Sequence, residues 1–125
     1  MHENEISEKI IGAAIEVHRI LGPGLLESAY EACLTYELVS LNLKVERQKE
    51  LPVKYKNKEI DIGYRLDILV ENSIIIELKA VEKLHPIHEA QLLSYLKLSG
   101  LKLGYLINFN AKILKGNIHR KVNNL

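Results

Sequence analysis

Tyr64-Arg65-Leu66-Asp67-Ile68-Leu69-Val70, then Glu71-Asn72-Ser73, then Ile74-Ile75-Ile76-Glu77-Leu78-Lys79 is the stretch that decides the fold. Two β-rich runs are separated by three polar residues, as in a hairpin with a short loop. If the loop is Glu71-Asn72-Ser73, Val70 pairs with Ile74 and Asp67 lies opposite Glu77, with Arg65 opposite Lys79. The period-two pattern then puts Tyr64, Leu66, Ile68 and Val70 on one apolar face with Ile74, Ile76 and Leu78. Asp67, Glu77 and Lys79 share the other face. Like charges directly opposite each other on neighbouring strands are destabilising, so two carboxylates in register need a physical reason. A divalent cation supplies one. Mg²⁺ takes oxygen ligands, commonly one or two carboxylates with waters and substrate phosphates. Lys79 would then place its ammonium beside the attacking water or a phosphoryl oxygen.

The same residues admit a structural reading, a network of Arg65–Glu77 and Asp67–Lys79 diagonals. Composition alone favours neither. With 14 Glu and 13 Lys in the chain, about one or two Glu-x-Lys triplets arise by chance. The position of this one, on an otherwise apolar strand and facing one of only two Asp residues in the chain, is harder to explain away.

Outward from the hairpin, residues 5–21 carry Ile6, Ile10, Ala13, Val17 and Leu21 at helical spacing. Gly22-Pro23-Gly24 ends that helix. A second helix is expected from Leu25 to Leu41, with Leu26, Tyr30, Cys33, Leu34, Leu38 and Leu41 on its apolar side. Leu43–Arg47 and Leu51–Tyr55 alternate as half-buried strands, and Pro52 assigns the second to a sheet edge. A third helix spans Pro86 to Leu98, closed by Gly100, and Leu103–Phe109 is a last strand. The expected architecture is a single layered α/β (α+β) domain over residues 1–125, with a central mixed sheet and flanking helices.

The 125 residues, 47% apolar and 26% charged, have the composition of a globular chain rather than a disordered one. No apolar run reaches the ~20 residues of a membrane span, and residues 1–12 lack a signal-peptide pattern. The single cysteine, Cys33, excludes an internal disulfide and a cysteine-rich zinc site, so a cytoplasmic setting is expected. A net charge of +1 excludes a histone-like polycation. The charge is nevertheless uneven. Residues 1–42 hold seven Glu against Lys9 and Arg19, whereas residues 90–125 hold Lys97, Lys102, Lys112, Lys115, Arg120 and Lys121 with no acid. Such a segment either contacts phosphates or is a solvated tail.

Asp67 followed by Glu77-Leu78-Lys79 resembles the bipartite motif of the PD-(D/E)XK nuclease superfamily. Gly24-Leu25-Leu26-Glu27-Ser28-Ala29-Tyr30 is similar to the Gly-x-x-Glu-x-x-Tyr signature of its GxxExxY family. Leu21–Gly24, Gly63–Asp67, His88–Leu93 and Gly104–Asn110 also resemble that family, so the likeness runs from about Ile10 to Arg120. The superfamily's opening proline is replaced by Leu66. The resemblance implies a restriction-endonuclease-like core and a nuclease cutting DNA, or RNA, with Mg²⁺ or Mn²⁺. By the same carry-over, Asp67, Glu77 and Glu27 would be metal ligands, helped by the Leu78 carbonyl, and Lys79 would orient or activate water. Gln91 and Tyr95, with His88, share a face of the third helix and resemble the Gln-x-x-x-Tyr pattern of RecB-like exonucleases. Gln91 is accordingly a candidate catalytic residue, and Tyr95, Lys83, Lys97, Lys112, Lys115, Arg120 and Lys121 are candidate nucleic-acid contacts. With no appended recognition domain in this sequence, a homo-oligomer or a separate partner is expected. The alternative is a non-catalytic module of nuclease fold that binds nucleic acid or protein.

Overall fold

The computed structural model describes residues 2–124. Its elements are α1 (Glu3–Leu21), α2 (Glu27–Ser40), β1 (Val45–Glu50), β2 (Val53–Tyr55), β3 (Lys58–Ile60), β4 (Arg65–Val70), β5 (Ile74–Lys79), α3 (Pro86–Ser99), β6 (Leu103–Asn108) and β7 (Ile118–Val122). Five strands form a mixed sheet in the order β1-β4-β5-β6-β7, with β5 and β6 parallel and the other neighbours antiparallel. The parallel pair needs a crossover, and α3 provides it. Helices α1 and α2 cover one face, burying Ile10, Ala14, Tyr30 and Leu34 against Ile68, Ile74 and Ile76. Helix α3 covers the other, with Leu92 and Leu96 against Leu69, Ile75 and Leu106. Strand β5 is therefore covered on both sides, which is why Ile74-Ile75-Ile76 is a continuous apolar run rather than an alternating one. No helix among the described residues is long and apolar enough to cross a membrane.

The β4–β5 register is the expected one, with Val70 opposite Ile74 and Ile68 opposite Ile76. The expected apolar face is not continuous, however. Leu66 belongs with Leu69 and Ile75 beneath α3, and the Tyr64 ring lies 5.8 Å from that of Tyr95 on α3. The paired ladder stops at Ile68, and beyond it the inward residues of β4 change sides. Helix α2 starts two residues later than the spacing suggests. Leu26 is its extended N-cap and 77% exposed, and Leu41 caps its other end in solvent. The cause is the preceding turn. The Tyr30 hydroxyl donates to the Gly22 carbonyl at 2.6 Å and accepts the Leu25 N–H at 3.1 Å, holding residues 22–25 out of the helix. Gly22 and Gly24 have φ of 66° and 100°, values that favour glycine.

The first sheet strand runs to Glu50, further than expected. Val53–Tyr55 is not an edge of the central sheet but pairs with Lys58–Ile60 in a separate two-stranded ribbon. The basic C-terminal segment contributes a true edge strand, β7, whose alternation of Ile118 with charged residues is too weak to read from sequence.

Gly104 sits where the sheet meets α3. A Cβ there would lie 2.9 Å from the buried Leu92 Cδ1 and 3.3 Å from the Ile75 carbonyl oxygen. Gly104→Ala is expected to lower stability by about 1–3 kcal/mol through overpacking. Urea unfolding measures it, and an unchanged midpoint would show that α3 yields freely.

Candidate active site

Where the β4–β5 ladder ends, side chains take over its hydrogen bonds. The Asp67 backbone N–H donates to Glu77 Oε2, and the Leu78 backbone N–H donates to Asp67 Oδ2, both at 2.9 Å. Each carboxylate thus bonds to the neighbouring strand, and a cleft of about 340 Å³ opens beside them, lined by Glu27, Ser28, Glu31, Gln48, Asp67 and Leu78. Lys79, half-buried, closes β5 at this end. The segment after it is held from β6. Phe109 N–H donates to the Lys79 carbonyl, while the buried Asn108 side chain donates to the Val81 carbonyl at 2.9 Å and accepts the Val81 N–H at 3.1 Å.

Helix α2 points its first turn at this end of the sheet. Glu27 reaches over β5, its Oε2 lying 3.4 Å from the Ala80 N–H. One turn on, the buried Glu31 accepts from Arg47 Nε at 2.9 Å and from Gln48 Nε2 at 2.7 Å. Gln48 Nε2 also lies 3.4 Å from Asp67 Oδ1. Gln48 has φ of 51° in the middle of β1, a conformation costly for a non-glycine residue, found where strain serves a site. Sequence reasoning missed Glu31, Arg47, Gln48 and Asn108. Glu31 had a signal, the four-residue spacing from Glu27 that puts both on one helix face. Asn108, a lone amide in an apolar strand, had one as well. Gln48 had none.

Tyr95 is buried beneath β4 in the cluster with Leu66 and Leu69, and burial, then the charge of Glu77, raises the pKa of its phenol. Gln91 is half-buried one turn before it. His88 accepts the His85 N–H through Nδ1 at 3.1 Å, capping α3. The candidate cations scatter. Lys83 is exposed in the loop before α3, and Lys97 sits in its last turn, about 13 Å of helix beyond His88. Lys121 pairs with Glu89 at 2.8 Å on the α3 side. Lys115 and Arg120 flank Ile11 and Ile15 on the α1 side, and Lys112 lies beside His18 and Arg19. The basic segment is therefore split across both faces of the sheet.

A family model described as the PD-(D/E)XK nuclease superfamily matches residues 4–121. The chain belongs to the PD-(D/E)XK nuclease superfamily. The mixed five-stranded sheet with flanking helices is consistent with that fold. No curated protein and no solved structure matches the chain significantly. Members of the superfamily are mostly nucleases, and these typically use divalent metal ions.

The donor set fits such an ion. Among the described residues no group of three or more His, Cys, Asp or Glu side chains lies close enough to enclose a metal. Two carboxylates do meet, each with only one oxygen committed to a backbone N–H, which suits Mg²⁺ shared with water and phosphate better than a closed structural site. Burial, followed by the charge of Asp67, pushes the Glu77 carboxyl up to about 8. Asp67 is also raised, chiefly by burial, with the Leu78 N–H pulling the other way. The diagonal network is not formed. Arg65 turns to Glu50 at 3.4 Å, and no ion pair among the described residues includes Lys79.

Between an ordinary value of 4.5 and about 8, the folded chain holds a proton on Glu77 that the unfolded chain has released. Metal-free stability is therefore expected to fall as pH rises through that window, by up to about 1.4 kcal/mol per pH unit for this one proton. Glu77→Gln should flatten the slope and melt higher than the parent at pH 8 in EDTA. Equal slopes for the two chains in urea melts at pH 5–8 would contradict the assignment.

Proposed function

We propose that this chain is a GxxExxY-type nuclease that hydrolyses phosphodiester bonds in DNA with Mg²⁺ or Mn²⁺. The observation that carries the reading is the crossed carboxylate–amide bonding, Glu77 to the Asp67 N–H and Asp67 to the Leu78 N–H, which holds two carboxyl groups side by side at the Lys79 end of β5. Asp67 and Glu77 would hold the ion, with Glu27 completing the site from α2 across the cleft. A bound ion would supply Lewis acidity at the phosphate. Lys79 orients the attacking water in line with the leaving 3′ oxygen and stabilises charge on the phosphate, giving a 5′-phosphate product. Gln91 supports this catalytic face from α3, above Tyr95. Lys83 and the α1-side cations Lys112, Lys115 and Arg120 contact backbone phosphates. Lys97 and the Glu89-paired Lys121 are the weakest of the expected contacts by position. The free, half-buried Cys33 suits a reducing compartment, and we assign the protein to the cytoplasm.

Labelled single- and double-stranded DNA and RNA incubated with Mg²⁺ or Mn²⁺ test this reading. The parent should cut, EDTA should stop it, and Lys79→Met should lose about 10²–10³ in rate while still binding substrate. A parent inert on all four substrates, or a Lys79→Met chain cutting at the parental rate, would contradict the reading and favour a non-catalytic binding module.

A further inference from the structure

Strands β1 and β4 do not end where the sheet ends. Their register continues past Glu50 and Arg65, with the Leu51 N–H donating to the Tyr64 carbonyl at 3.0 Å. Pro52 then interrupts the ladder on one leg, while Asp61-Ile62-Gly63 bulges on the other, with Gly63 at φ 85° and its N–H on Asp61 Oδ1. Beyond this kink the legs pair again as β2 and β3 and close through Lys56-Asn57, both at positive φ, the geometry of a two-residue hairpin turn. The result is an arm. Every residue from Lys54 to Tyr64 is exposed.

An isolated two-stranded ribbon is marginal in water, and this one displays apolar side chains to solvent: Tyr55 is 59% exposed and Ile62 56%. Its tip is basic. Lys54, Lys56 and Lys58 flank Tyr55, none is in an ion pair among the described residues, and Lys56 Nζ stands 5.5 Å from the Tyr55 ring centroid. Lys54 does face Glu59 at mid-arm, and Glu59 lines one hollow with Glu50 and Asp61, so the acids gather towards the base while Lys56 and Lys58 stand at the tip. A polyanion would be held off the base and drawn to the tip.

Direction decides what the arm is for. β4 is antiparallel to β5, so its Arg65 end lies at the Lys79 end of β5. The arm therefore rises from the same end of the sheet as Asp67, Glu77 and Lys79, and it is a continuation of the strand that carries Asp67. Residues 51–56 span up to about 20 Å when extended, roughly six nucleotide steps of a duplex.

We infer that the β2–β3 hairpin is a nucleic-acid-gripping arm: Lys54, Lys56 and Lys58 hold backbone phosphates flanking the cut site, and Tyr55 packs on a sugar or an unpaired base. This rests on the nuclease reading and adds clustered contacts to those of Lys83 and the dispersed C-terminal cations. The three lysines bind without reading sequence. Tyr55 adds a preference for unpaired segments, because any base offers a face to stack on.

Fluorescence anisotropy with labelled duplex and single-stranded DNA, in a Lys79→Met background, measures the arm separately from cleavage. The triple variant K54A/K56A/K58A should bind more weakly, and its log–log salt slope should be shallower by about 2.7 on duplex or about 2.1 on a single strand. Tyr55→Ala should weaken single-strand binding by about five- to a hundredfold and duplex binding less. Unchanged melting temperatures confirm that these exposed changes leave the fold intact. If affinity and slope match the Lys79→Met chain while the parent still cuts, the arm is refuted and the nuclease reading stands. If the triple variant loses affinity but the parent cuts nothing, the arm is upheld as a binding device and the nuclease reading fails. A chain that neither binds nor cuts nucleic acid overturns both.

Discussion

Two carboxylates that accept hydrogen bonds from the backbone of the neighbouring strand, rather than pairing with a countercharge, set the design of this molecule. Asp67 and Glu77 replace a rung of the β4–β5 ladder with side-chain hydrogen bonds. That substitution satisfies the two N–H groups where the paired ladder stops, beside the cleft. It also leaves Glu77 5% exposed and close to a like charge, an arrangement costly without either a proton or a cation. The core around it is arranged to bear the cost. β5 is sandwiched between helices, and the buried Glu77 is held there by the Asp67 N–H, while the half-buried Asp67 lines the cleft.

The rest of the fold brings chain segments to this one end. Tyr30 ties the Gly22–Leu25 turn and stacks on Phe109 at 4.6 Å, which aims the first turn of α2, and with it Glu27, across β5. The Gly-x-x-Glu-x-x-Tyr spacing thus has a mechanical sense: a turn glycine, a carboxylate at the site, and a phenol that clamps the turn to the helix. Asn108 fastens the strand exit after Lys79, and buried His18 holds the following loop through its Nε2, 2.6 Å from the Ala111 carbonyl oxygen. In the proposed nuclease these would be positioning residues, acting through Glu27 and Lys79.

Much of this is legible in the residues. The hairpin register follows from a three-residue loop between two apolar runs, because a period of two leaves little freedom once one face is buried. The facing acids follow from the register. The change of face at Leu66 does not, since it arises from the carboxylates displacing the ladder, a tertiary event with no trace in periodicity. The start of α2 is displaced from its expected position because Tyr30, six residues beyond Gly24, controls the turn through space. Gln48 is invisible for a similar reason: it lies just beyond the expected strand Leu43–Arg47 and becomes part of the site only through its left-handed backbone. The ribbon of β2 and β3 reads as one edge strand because each leg is only three residues long.

The role proposed for Asp67 and Glu77 is to hold a divalent cation together. Titration calorimetry with Mn²⁺ on the parent, Asp67→Asn, Glu77→Gln and Lys79→Met chains tests it without any substrate. Binding should appear in the parent, persist in Lys79→Met, and be lost or weakened at least tenfold in both carboxylate variants. Binding that survives unchanged in Asp67→Asn and Glu77→Gln, or is absent from the parent at millimolar metal, would contradict the account.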